Sequence, residues 1–85
     1  MQKIVDVKGE GLVALLGEKV ILFCANYFYA GKLEGVNKTF VKLSEPQIVY
    51  ETGEFSAAKW KDAQSLHVPE LYVRVAMVEA WARGK

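Results

Sequence analysis

The sequence predicts a mainly β chain, a strongly bent antiparallel sheet preceded by a short helix. Three observations carry that expectation. Val20 to Ala25 is apolar at every position, as in a strand covered on both faces. Phe28 to Val36 alternates, with Phe28, Ala30 and Lys32 on one face and Tyr29, Gly31, Leu33 and Gly35 on the other. Glycine weakens a strand, so Gly31 and Gly35 point to sharp curvature or a close backbone approach. Asn37-Lys38 then forms a two-residue connection, with Asn tolerant of positive φ, into the alternating run Thr39 to Leu43.

The remaining elements follow in order. Residues 1 to 8 alternate weakly and read as a short strand or a loose arm, before Gly9 and Gly11 interrupt. Leu12, Val13, Leu15 and Leu16 sit at helical spacing and Gly17 is placed as a stop. A helix of about one to two turns stands only if it packs on something. Asn26 to Tyr29 is a turn or tight loop, unusual for its aromatic residues Tyr27, Phe28 and Tyr29. Pro46 breaks or bulges the strand, Gln47 to Glu51 continues it, and Thr52-Gly53-Glu54 turns the chain. Residues 55 to 67 fit either a helical turn over Ala57 to Asp62 or a long loop. After Pro69, Leu71 to Trp81 is apolar on both alternating faces apart from Arg74 and Glu79. It reads as a second strand that something outside the monomer covers.

Eighty-five residues make one small domain, residues 1–85, and 52% of them are hydrophobic, so the chain is no disordered tail. A domain this small cannot bury all its apolar surface against itself, and the simplest partner is another copy. With a single cysteine, Cys24, no intrachain disulfide forms, and one Cys with one His makes a four-ligand zinc site a poor expectation. Net charge is +1, so any nucleic-acid site has to be local. No run approaches the ~18 apolar residues of a membrane-crossing helix. The first residues mix Lys3, Asp6, Lys8 and Glu10 with apolar ones and lack a signal-peptide core. A cytoplasmic setting is the default.

Catalytic signals are weak. His67, the only histidine, has no Ser or Asp at a triad spacing and reads as a structural or surface residue. Cys24, inside the apolar run, reads as a small buried hydrophobe. The carboxylates are scattered and no glycine-rich phosphate loop occurs. The expectation is a non-enzyme with no cofactor and no metal.

The order of short helix, strand, curved glycine-containing strand, tight Asn loop, further strands and final apolar strand resembles the Sm/LSm family, over about Leu12 to Trp81. In the family's first motif, Gly31, Leu33, Val36 and Asn37 take the places of the glycine, the two apolar residues and the Asp, for which Asn stands in. The places of the base-stacking and base-reading residues hold Thr39 and Val41, so the uridine pocket does not carry over. In the second motif, Val73-Arg74-Val75 keeps the Arg and loses the Gly.

The resemblance implies a small, strongly bent five-stranded barrel that closes into a homo-oligomeric ring of about five to seven copies through strand pairing. It places Lys38 and Arg74 at the central pore, where repetition in each subunit turns a nearly neutral chain into a basic annulus for a phosphate backbone. The alternative is an ordinary solvated Lys38, with Arg74 paired to a carboxylate such as Glu79. Tyr27 and Tyr29 offer faces for unpaired bases, or pack in a core or interface. Trp60 pins the 55–67 segment or meets a partner.

The leading expectation is therefore a non-catalytic ring binding single-stranded RNA or DNA through Asn37, Lys38, Thr39, Arg74, Tyr27 and Tyr29. A small-barrel protein-interaction or assembly module without nucleic acid is the runner-up, and a monomeric adaptor the third reading. No membrane partner is expected.

Overall fold

A computed structural model describes residues 11–84; the arm or strand expected over residues 1 to 8 lies outside them. Six strands form one antiparallel sheet: β1 (Lys19–Cys24), β2 (Phe28–Val36), β3 (Phe40–Glu51), β4 (Asp62–Ser65), β5 (Glu70–Arg74) and β6 (Val78–Arg83). The order is β4-β3-β2-β1-β6, with β5 also on β3. β5 pairs with the first half of β3 and β4 with the second half, so six strands occupy five places. Among the described residues the sheet does not close: β6 pairs with β1 alone. The mainly β class holds, while the five-stranded closed barrel is not what the described residues form.

In place of the expected helix, Leu12–Leu15 makes one 3₁₀ turn that buries Leu15 in the core. Gly17 ends it as its position suggested, at φ 85°, where an L side chain is strained. Its N–H donates to the Leu33 carbonyl at 2.8 Å and fastens the turn to β2.

The pleat sorts the apolar residues into two clusters on opposite faces. Val20, Leu22 and Cys24 of β1 join Leu33, Val41, Leu43, Val73 and Leu15 in the main core. Because β1, β2, β3, β5 and the 3₁₀ turn all contribute to it, the sheet curls around this cluster. Each fully buried Leu or Val there is worth about 1.5–3 kcal/mol relative to exposure. Ile21 faces the other way and joins Ala30 and Val49, with Phe23, Phe28 and Trp60 packed against them.

That second cluster corrects one expectation. The outer side of β1, expected to need the short helix or a neighbour as cover, is covered by Phe55 and Trp60 of the chain's own 52–61 segment. Trp60 packs on the cluster, and the Phe55 ring lies between Phe23 at 6.5 Å and Trp60 at 6.2 Å. This segment is a loop up to Lys61, not a helical turn, and its continuation is the short strand β4.

A bulge bends β3. Its pairing with β2 jumps between Ala30↔Gln47 and Lys32↔Ser44, which places Glu45 and Pro46 in the extra length, Glu45 at φ 49°. The inserted residue shifts the alternation: Val41 and Leu43 point into the main core, while Val49 points to the outer cluster. Gly31 lies opposite, where an added Cβ would stand 2.9 Å from the Ser44 carbonyl oxygen and 3.2 Å from Leu43 Cβ. The close approach anticipated at Gly31 is therefore real. Gly35 has no such neighbour, its nearest being Lys42 Cβ at 3.9 Å, and it sits at a second register shift.

The expected continuous strand from Leu71 to Trp81 is two strands. Val75–Met77 forms a 3₁₀ turn between β5 and β6, just after the Val75 N–H closes the β3–β5 ladder on the Thr39 carbonyl, and the chain then leaves β3 to pair with β1. β6 is exposed beyond Val78, including Trp81. No helix among the described residues is long and apolar enough to cross a membrane.

Candidate nucleic-acid interface

The loop joining β2 to β3 is held by a side chain. Asn37 Oδ1 accepts hydrogen bonds from the Thr39 N–H at 2.7 Å and the Phe40 N–H at 2.8 Å, while the Asn37 N–H donates to the Phe40 carbonyl at 3.0 Å. This is an Asx turn, in which the carboxamide imitates a backbone acceptor. Asn37 was expected to serve through positive φ, yet among the described non-glycine residues only Glu45 adopts it. An acceptor oxygen is all the turn requires, which Asp supplies as well as Asn.

The turn presents Lys38 and Thr39 to solvent, and the fold brings Arg74 beside them. Phe40 and Arg74 are cross-strand partners, and the Val75 N–H···O=C Thr39 bond of 2.8 Å ties the end of β5 to the turn. Residues separated by half the chain thus share one end of the sheet. Both cations are exposed. Among the described residues the ion pairs are Lys32–Glu34, Lys42–Glu70 and Arg83–Glu18, so neither Lys38 nor Arg74 is neutralised by one. The alternative pairing of Arg74 with Glu79 does not form. Glu79 acts on Cys24, whose thiol is raised above the ordinary value of 9.0 first by burial and then by that carboxylate. Cys24 is buried in the main core, in keeping with the hydrophobe reading.

Tyr27 and Tyr29 stand apart. They lie at the start of β2, next to the Phe28↔Val49 pair, whereas Asn37 follows Val36 at its far end. Tyr29 is half-buried against the main core, and Tyr27 packs edge-on to it at 6.4 Å. Near Tyr27 a shallow cleft is lined by Tyr50 and the acidic Glu51, an unfavourable setting for phosphate. The six candidates therefore divide into four that gather and two that do not.

The gathered group has neighbours that sequence reasoning overlooked. On the outer face of β3 and β5, Phe40 and Tyr72 meet edge-to-face, ring centroids 5.5 Å apart at 79°. Lys42 lies across from Tyr72, its Nζ 6.0 Å from the ring centroid and 2.5 Å from Glu70 Oε2. The available signal was alternation: with Val41, Leu43, Leu71 and Val73 inward, Phe40 and Tyr72 must face out.

An open groove of about 870 Å³ beside the bulge holds Lys19, Lys32, Glu45, Pro46 and His67, but none of the six candidates. Among the described residues no group of three or more His, Cys, Asp or Glu side chains is placed to hold a metal ion. No protein-family model, curated protein or solved structure matches the chain.

Proposed function

We propose that the chain is a non-catalytic, Sm-like module that assembles into a homo-oligomeric ring and binds single-stranded RNA or DNA. The observation that carries this reading is the meeting of the Asn37–Thr39 turn with Arg74, which brings to one end of the sheet two exposed cations that join no ion pair among the described residues. The Asn37 acceptor and the Arg74 guanidinium stand at the positions through which the sequence resembles the Sm/LSm motifs. In a ring each subunit would repeat Lys38 and Arg74 around the pore and concentrate positive charge where phosphates pass.

A fluorescence-polarisation titration with short U-rich, A-rich and mixed oligonucleotides, at low and moderate salt, tests the reading. Binding should weaken steeply with salt, and Lys38→Ala and Arg74→Ala should each lower affinity and flatten the salt dependence. Absence of binding by the unaltered chain at tens of micromolar sinks the proposal.

The exposed β6 favours a second reading, a protein-assembly module without nucleic acid. Among the described residues β6 pairs with β1 alone, and its residues beyond Val78, including Trp81, are exposed, as an edge that pairs with another chain would be. Pull-down of a protein partner that survives nuclease and high salt would favour that reading. A single-chain mass in light scattering would remove the ring and leave a monomeric adaptor.

A further inference from the structure

We infer that Phe40 and Tyr72 form a stacking platform for unpaired bases on the outer face of β3 and β5, with Arg74 and Lys38 holding the phosphates beside it. The inference rests on the nucleic-acid reading above and adds a base-contacting surface to it.

An outward-facing position on a sheet ordinarily carries a polar residue. Here two aromatic side chains occupy such positions, with Phe40 40% and Tyr72 55% exposed, so neither ring owes its place to burial. They are not loose. Phe40 is flanked by Arg74 in the register and meets the Tyr72 ring edge-on, and Tyr72 is flanked by Lys42. The Tyr72 hydroxyl donates to Glu70 Oε2 at 3.4 Å, restraining the outer end of the ring. The Lys42 ammonium stands over the Tyr72 ring, 6.0 Å from its centroid, and the surface the two rings still leave exposed is what another flat ring would meet.

Charge selects the occupant. Among the described residues Glu70 is the carboxylate in contact with the platform, and Lys42 pairs with it, while the guanidinium of Arg74 and the ammonium of Lys38 take part in none of the ion pairs. A sheet-borne, edge-to-face pair of aromatic rings next to cations outside the ion pairs of the described residues suits a chain of alternating bases and phosphates. Other exposed aromatic residues lack this setting: Tyr50 precedes Glu51 in an acidic cleft, and Trp81 follows Glu79 by two residues on β6. Every base has a π face, so little sequence preference is expected.

The test compares a base-bearing single-stranded oligonucleotide with an abasic one of the same length, using the full chain, with thermal melts and light scattering on every variant. The unaltered chain should bind the base-bearing strand at least about tenfold more tightly. Tyr72→Leu and Phe40→Leu should each weaken that binding about tenfold, leaving abasic binding, the salt slope and the oligomeric mass unchanged, whereas Tyr72→Phe should retain it. Arg74→Ala should weaken both strands.

Equal affinity for the two strands overturns the platform, as does undiminished base-bearing binding by Tyr72→Leu; in both cases the nucleic-acid reading survives through Arg74. A drop in mass with Tyr72→Leu, accompanied by equal losses on both strands, makes this face an assembly contact and also overturns the platform. Failure of the unaltered chain to bind either strand overturns both readings.

Discussion

Phe40–Ser44 and Gln47–Glu51 are two halves of one strand, and they meet the outside of the sheet differently. In the second half the outward Val49 is 2% exposed, because the chain turns back over it and lays Trp60 on the cluster it forms with Ile21 and Ala30. In the first half the outward Phe40 has no such cover, although it too is large and apolar. β5 pairs with this half from the side, through hydrogen bonds, and adds Tyr72 and Arg74 to the same open face. A buried aromatic cluster and an exposed one thus lie on one surface, separated by the Glu45–Pro46 bend. The chain's ability to cover one but not the other makes the exposed pair informative.

The bend itself should be the most sensitive point. Gly31→Ala forces a Cβ against the Ser44 carbonyl, which the backbone cannot easily yield, and should cost about 2–3 kcal/mol in urea unfolding. Gly35→Ala, with room around it, should change stability by less than about 1 kcal/mol. Equal costs would show that the crowding at Gly31 does not set the bend.

Uncovering the second half comes next. Trp60→Ala should destabilise by about 2–3 kcal/mol, below the largest values for aromatic truncation because Trp60 is only half-buried. It should also raise binding of a hydrophobic dye, as Phe23, Phe28 and Val49 lose their cover. Tyr72→Ala on the open half should cost no more than about 1 kcal/mol. If the two variants melt alike, the contrast between the halves fails.

The turn that precedes the open half should show a smaller effect. Asn37→Ala removes the acceptor for two backbone N–H groups and should cost about 1 kcal/mol in urea unfolding, while Asn37→Asp should remain within a few tenths. The smallest expected effect is alkaline. Folding raises the Cys24 thiol above its ordinary 9.0, so the folded chain favours the protonated form. This contribution is complete below about pH 9 and is lost as pH rises through the folded value. Stability of the unaltered chain measured against Cys24→Ala should therefore narrow above that pH.

Much of the first half of the chain was legible because local signals agreed there. The apolar run, the glycine within an alternating run, the proline that breaks or bulges the next strand and the Asn turn each have a short-range physical cause, and β1, β2 and the start of β3 followed. The second half depends on distant partners. Asp62–Ser65 carries no apolar alternation because all four residues are exposed, and only the ladder with β3 makes them a strand. Leu71 to Trp81 is apolar apart from Arg74 and Glu79, and its division shows only in the partners its two parts take, β3 for the first and β1 for the second, both remote in sequence. The cover over Ile21 also comes from far along the chain, and a wholly apolar run does not reveal which segment supplies it. Lys38 and Arg74 could be paired only through the family resemblance; Phe40 and Tyr72 emerge once β3 and β5 are set in register.

The crowding between Gly31 and the Glu45–Pro46 bulge also constrains how the sheet can be assembled. A two-residue slip of β3 along β2 would preserve inside and outside for most side chains, so alternation alone does not forbid it. Such a slip would bring the bulge against Tyr29 or Leu33, where a full side chain stands in place of a hydrogen atom. The indentation at Gly31 therefore acts as a notch that admits one alignment, concentrating at a single contact the information that selects the hairpin's pairing.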